Sequence, residues 1–184
     1  GEKKYDTATF YSISNCQQGL ERVTLGNFLI KRVVFEIQEE LPNIKNFGTL
    51  SPIIGFRNWF SYLEDNKIKN IVGQKFFEKL VFLRSSDLKI GDKRFIDNKD
   101  AIIKLVAHYL INEKNKKNLP MNDVCRFHLG NGAIIEDIVI NANVSEVGFN
   151  RSFGVMVNYL YELKNIEKNH EDYINNKKII ISEK

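Results

Sequence analysis

Three places along the 184 residues combine residue type and position in a way that could support chemistry. Glu21, Arg22, Val23, Thr24, Leu25, Gly26 and Asn27 form a loop that runs into an amphipathic stretch. Backbone N–H groups at such a helix opening point outward beside the positive end of the macrodipole and suit a phosphate. Many strand-to-helix turns with one glycine bind nothing, so on its own this loop reads as structural. Ser51 follows an apolar run and precedes Pro52, which puts a hydroxyl at the end of a strand, at the edge rather than the centre of a sheet. Its plainest role is a cap or turn hydroxyl, and no GxSxG surrounds it to suggest a nucleophile elbow. His128 falls in the last turn of a short helix before Gly130 and Gly132. A helix C-terminus favours the imidazolium, which would suit a general acid, against the ordinary alternative of a structural hydrogen bond. His108 and His170 are given that ordinary role.

These residues need elements to position them. Residues 7–14 (TATFYSIS) are rich in β-formers and predict a strand. Ile30, Val33, Val34, Ile37 and Leu41 recur at helical spacing and predict a helix over 26–40, with Thr24 as its N-cap. Residues 46–50 then predict a strand parallel to the first, as a short crossover unit tends to give. From Pro52 to about residue 115 the pattern turns helical. Phe56, Trp59, Phe60 and Leu63 mark one face, Phe76, Phe77, Leu80 and Val81 another, and a helix over 98–112 carries Ile102, Leu105, Val106, Tyr109 and Leu110. Residues 85–98 read as a polar loop. The aromatics are assigned to core packing. A short helix over 121–129, started by Pro120, precedes a strand over 133–141, an irregular polar loop over 143–152 and a last strand over 154–163. The Lys/Asn-rich tail carries Ile179 to Ile181, expected to pack against something outside the chain.

Bulk properties narrow the class. The length fits one domain or a large part of a bigger one, and a hydrophobic fraction of 43% excludes general disorder. No apolar run reaches membrane-spanning length, and the first ten residues resemble neither a signal peptide nor a transit peptide. Cys16 and Cys125 lack metal-ligand spacing, so neither zinc nor a disulfide framework is indicated, and the expected setting is a reducing, soluble, intracellular one: cytoplasm or an organelle matrix. The net charge of +4 is spread among mixed signs, and the basic run from Lys114 to Lys117 has no interleaved aromatics. It reads as a solvated turn, and nucleic acid and membrane are not expected partners. No repeat or linker marks a domain boundary inside the chain.

Several long words, in one order, resemble the malonyl-CoA decarboxylase family. They are Phe10 to Ser14 with Gln17, Gln18, Gly19 and Leu20; Leu25-Gly26 with Phe28 to Val34; Leu50-Ser51-Pro52-Ile53 with Gly55-Phe56; Phe127-His128-Leu129 with Asn131-Gly132-Ala133; and Gly154 with Met156, Asn158, Tyr159 and Tyr161. Ala107, Tyr109, Leu110 and Glu113-Lys114 also fit. The resemblance implies an α/β fold of the GNAT acyltransferase type, a mixed sheet flanked by helices, of which the chain would be the C-terminal part. An N-terminal helical domain and early strands would be its missing partner within the same enzyme, and a homo-oligomer is left open. It further implies conversion of malonyl-CoA to acetyl-CoA and carbon dioxide without metal or organic cofactor. Ser51 and His128 match the family's catalytic pair, the loop from Glu21 to Asn27 its coenzyme A loop, and Asn158 and Tyr161 join the substrate-binding set. Whether Ser51 orients the carboxylate or accepts a proton stays open, and an acyl-CoA-dependent acetyltransferase or a non-catalytic coenzyme A module are the alternatives.

The chain departs from the family pattern at Glu21, Arg22 and Thr24 in the loop, at Ile54 in place of a proline, and at Val139, Ile140 and Asn143. Ile54 is expected to loosen the turn after Ser51, and Asn143 to alter the local shape.

Overall fold

A computed structural model describes residues 5–11 and 26–183, residues 26–29 by their backbone alone. The residues expected to hold the phosphate loop before Gly26, together with the Thr24 cap and Cys16, lie outside the described residues. In chain order the elements are β1 (Thr7–Phe10), α1 (Gly26–Glu40), β2 (Asn46–Pro52), α2 (Phe56–Ser61), α3 (Asp65–Val72), α4 (Gln74–Leu80), a 3-10 turn (Val81–Arg84), α5 (Arg94–Asp97), α6 (Lys99–Ile111), α7 (Asp123–Gly130), β3 (Ile134–Val139), α8 (Glu146–Ser152), β4 (Met156–Tyr161) and α9 (Ile166–Asn176). They belong to two compact units, each assembled from separated segments: residues 1–51, 126–137 and 158–184 in the first, 52–125 and 138–157 in the second. Because the units interleave along the chain, no shift of composition marks the division.

The first unit is built on the sheet, whose order is β1-β2-β4-β3. β1 and β2 are parallel, with Thr7 opposite Asn46 and Phe10 opposite Thr49. The apolar stripe of α1 buries Ile30 and Val34, while Leu41 falls past the helix end and is exposed. β2 lies between β1 and β4, so Ser51 stands on an interior strand of the described sheet rather than at its edge. The tail differs from expectation too. α9 is a helix there because Ile166, Asn169 and Tyr173 recur on one face and are buried. Beyond it, Ile135 N–H donates to the Ile180 carbonyl at 3.0 Å and Ser182 N–H to the Ile135 carbonyl at 2.9 Å. Ile181 therefore pairs with β3 of the same chain.

The second unit is helical with an aromatic core. Every apolar residue expected on α6 is buried. Phe95, inside the stretch read as a polar loop, is fully buried edge-on to Phe82 and Phe149. Its neighbour Arg94 is paired with Asp87 and Asp92, so one turn combines an apolar anchor with a partly exposed ionic cluster. Val81, expected on the same face as Leu80, opens the 3-10 turn that follows α4 and is exposed. The loop expected over 143–152 contains α8: the Ser145 hydroxyl accepts the Gly148 N–H at 3.0 Å, and Asn143 Oδ1 accepts the Ser145 N–H and hydroxyl at 3.1 and 2.6 Å. Asn143 thus organises the start of that helix. The turn carrying Ile54 is likewise held, since its carbonyl accepts hydrogen bonds from Asn122 Nδ2 at 2.9 Å and the Tyr109 hydroxyl at 3.3 Å. Lys114 to Lys117 form a turn around the Asn115 side chain, as expected.

Candidate active site

Side chains alternate between the faces of a strand, so Thr49 and Ser51, two residues apart on β2, point the same way. Both are buried. On the neighbouring strand β4, Tyr159 and Tyr161 are buried by the same alternation. α7 delivers His128 to this face. Its helix ends where the His128 carbonyl accepts the N–H groups of Asn131 and Ala133, each at 3.1 Å. Gly132 completes the turn at a φ of 83°, and a Cβ there would come within 2.1 Å of the Ile166 carbonyl oxygen. α9 pins the same turn: Asn169 Nδ2 donates to the Gly132 carbonyl at 3.3 Å, and His170 Nδ1 donates to the Gly130 carbonyl at 2.6 Å.

The result is a continuous line of hydrogen bonds through one imidazole. His128 Nε2 lies 3.0 Å from Ser51 Oγ, and Nδ1 lies 2.7 Å from the Tyr161 hydroxyl. The ring stacks on Tyr159 at a centroid distance of 4.4 Å. Ser51 Oγ also lies 3.1 Å from Thr49 Oγ1, so its single hydroxyl proton has an acceptor on β2 as well as on His128.

Burial pushes the His128 pKa down to about 4, and the ring is therefore neutral at pH 7. This corrects the expectation of an imidazolium: a helix end contributes roughly 0.3–1 kcal/mol in favour of charge, too little against the loss of solvent. Burial also pushes the Tyr161 hydroxyl far above its ordinary value, so it keeps its proton. With one N–H on the ring, a proton on Nε2 is donated to Ser51 and leaves Nδ1 to accept from Tyr161, whereas a proton on Nδ1 leaves Nε2 to accept from Ser51.

In a hydrolase triad a carboxylate holds the second ring nitrogen and stabilises the imidazolium that forms when serine is deprotonated. Here a neutral tyrosine takes that position. A base with a pKa of about 4 is poorly matched to deprotonating serine at pH 7. As a donor the same neutral ring is well placed, because a buried N–H aimed at developing negative charge needs no reorganisation.

Of the residues singled out from sequence, the fold brings Ser51, His128 and Tyr161 together. Asn158 is on the opposite face of β4, its Oδ1 against Gly48, where a Cβ would approach it to 3.2 Å. Gly26 and Asn27 are the first residues of α1. Thr49, Tyr159, Asn169 and His170 were not singled out for the site. The i, i+2 hydroxyl pair on β2 and the spacing of Ile166, Asn169 and Tyr173 are the signals that could have found them. Among the described residues no group of His, Cys, Asp and Glu could hold a metal ion, and no helix is long and apolar enough to cross a membrane.

The family model for the malonyl-CoA decarboxylase C-terminal domain matches residues 1–184. A mouse protein named mitochondrial malonyl-CoA decarboxylase is 38% identical over 194 residues, covering 96% of this chain and 39% of that protein. The crystal structure of malonyl-CoA decarboxylase from Rhodopseudomonas palustris superimposes with a TM-score of 0.85 at 40% identity, covering 96% of this chain and 40% of that one. The one from Cupriavidus metallidurans gives 0.81 at 37% identity, covering 97% and 47%. The α/β architecture with its mixed sheet matches these structures. The chain spans less than half the length of the relatives it matches. On both sequence and structure, the chain belongs to the malonyl-CoA decarboxylase family, whose C-terminal domain it matches over residues 1–184.

Proposed function

We propose that this chain carries the reacting pair of an enzyme that converts malonyl-CoA to acetyl-CoA and carbon dioxide. The observation that carries the reading is the 3.0 Å contact between Ser51 Oγ and a buried, neutral His128. When the bond to the carboxylate carbon breaks, its electron pair passes into the thioester enolate and carbon dioxide leaves. The site must hold the carboxylate out of the carbonyl plane, stabilise the oxyanion and supply one proton to carbon. Ser51 orients the carboxylate through its hydroxyl, which swings from Thr49 to the substrate. His128 Nε2–H donates a hydrogen bond to the enolate oxygen; as it passes that proton to carbon the ring becomes a transient imidazolate, held at Nδ1 by the Tyr161 hydroxyl, and a proton from solvent restores the neutral imidazole. No metal or organic cofactor is required by these steps. The loop from Glu21 to Asn27, at the opening of α1, takes the pyrophosphate of coenzyme A in this reading.

The test uses the intact enzyme with malonyl-CoA and no amine acceptor, followed by acetyl-CoA and carbon dioxide release, with and without a chelator. The expected result is chelator-insensitive turnover that falls by about 10²- to 10⁴-fold in His128→Ala. Acetyl transfer that needs an acceptor would instead support an acetyltransferase. Binding of coenzyme A without turnover would support a non-catalytic module.

A further inference from the structure

Thr49 is the one member of the buried polar line that neither the sequence pattern nor the proposed chemistry uses. It is 2% exposed, so its hydroxyl meets almost no water, and a hydroxyl at that depth is expected to be bonded within the protein. The partner is Ser51, at 3.1 Å on the same face of β2. Thr49 is β-branched and stiff at χ1, which fixes where its Oγ1 stands beside the more adaptable Ser51 side chain.

That contrast has a directional consequence. The chain Tyr161, His128, Ser51 could run either way with the same heavy atoms and the same distances. In one direction Tyr161 donates to Nδ1, Nε2–H donates to Ser51, and Ser51 must place its own proton on something further along. In the other, Ser51 donates to Nε2, and the ring carries its proton on Nδ1, facing Tyr161 and away from Ser51. What separates the two is whether an acceptor waits beyond Ser51. Thr49 Oγ1, 3.1 Å from Ser51 Oγ, is placed to be that acceptor.

We propose that Thr49 is a positioning residue: by accepting the Ser51 hydroxyl proton it fixes the direction of the hydrogen-bond chain and holds His128 in the tautomer with its proton on Nε2. This rests on the reading of Ser51 and His128 as the decarboxylating pair, for which only the Nε2–H tautomer presents a donor on the Ser51 side. Thr49 acts through Ser51 and His128 and touches no reacting atom. Losing one hydrogen bond of ordinary strength shifts such a two-state balance by about tenfold.

The experiment labels the histidines of the intact enzyme with nitrogen-15 and reads which ring nitrogen bears hydrogen from two-bond proton–nitrogen correlations. With three histidines in this chain, His128→Gln identifies the signal. Wild type is expected to show hydrogen on Nε2 of His128. Thr49→Val, similar in volume but without the acceptor, is expected to move much of the population to Nδ1 and to lower kcat about tenfold with KM for malonyl-CoA within about twofold. Thr49→Ser restores the acceptor and is expected to keep both the tautomer and the rate. Hydrogen on Nδ1 in wild type, or an unchanged tautomer in Thr49→Val, overturns the assignment. If the valine variant fails to fold, Thr49→Ala and the wild-type spectrum decide the same point. A wild type without decarboxylase activity overturns the functional reading alone, because the tautomer is still read from the spectrum.

Discussion

In the first unit, β2, β4 and α7 bury Thr49, Ser51, His128 and Tyr161 beside one another. In the second, the residues at comparable depth are Phe56, Phe60, Phe95, Phe149 and Phe153, meeting mostly edge to face, with Arg57 over two of the rings. The histidines show the difference most directly. His108 keeps a quarter of its side chain exposed, stacks on Trp59 and reaches Glu113, which Lys67 also binds. Burial pushes the Glu113 carboxyl up, but the Lys67 and His108 contacts outweigh it and leave its pKa below the ordinary value. The His128 ring instead meets the neutral hydroxyls of Ser51 and Tyr161, and burial drives it neutral. An aromatic core stabilises by area, and partly exposed ions are tolerated around it. A buried polar line costs desolvation and is retained for what its protons can do.

Four measurements can break or sharpen this comparison. The largest contrast is between the two histidines: His128→Ala is expected to lower turnover by about 10²- to 10⁴-fold, and His108→Ala by less than about threefold, in the same assay. Equal losses would mean the two regions do not divide the work in this way. Next, Phe95→Ala is expected to destabilise by about 3–5 kcal/mol in chemical denaturation, while leaving kcat per folded molecule near wild type.

The third is pH. The folded His128 titrates near 4 and an ordinary histidine near 6.5, so between those values the unfolded chain binds a proton that the folded chain refuses. Stability should therefore be full above pH 6.5 and fall as pH drops towards 4, by at most about 3 kcal/mol. Denaturation midpoints at pH 7 and pH 5 check this, and His128→Gln should flatten the slope in that window. Glu113, with its lowered pKa, adds its own loss only below about pH 4.5. The smallest expected effect on stability comes from Tyr161→Phe, about 1 kcal/mol, yet kcat should drop about tenfold because Nδ1 loses the donor that keeps the ring proton on Nε2.

Much of the scaffold was legible because its signals are local. The stripe of α1 predicted a helix with the observed bounds, the β1–α1–β2 unit predicted parallel pairing, and the periodicity of α6 predicted its buried face. The misreadings share a cause. Asn143 and Ser145 look like loop residues until one sees them capping α8, and Phe95 looks isolated in a polar stretch until it packs on Phe82. The tail that became α9 has its helical stripe interrupted by a buried Asn169, whose partner, the Gly132 carbonyl, lies 37 positions away.

For the site, Ser51, His128 and Tyr161 could be named from their residue types, their places at a strand end and a helix end, and the family words around them. Those are properties of neighbouring residues, and the sequence determined them by itself. The charge of His128, and the tautomer we propose for it, come from elsewhere in the chain. They depend on burial and on the order Tyr161, His128, Ser51, Thr49, which joins residues 33, 77 and two positions apart. Local sequence at position 128 argued for an imidazolium on the strength of a helix end. Only the tertiary structure removed the solvent, and in that setting desolvation outweighs the dipole.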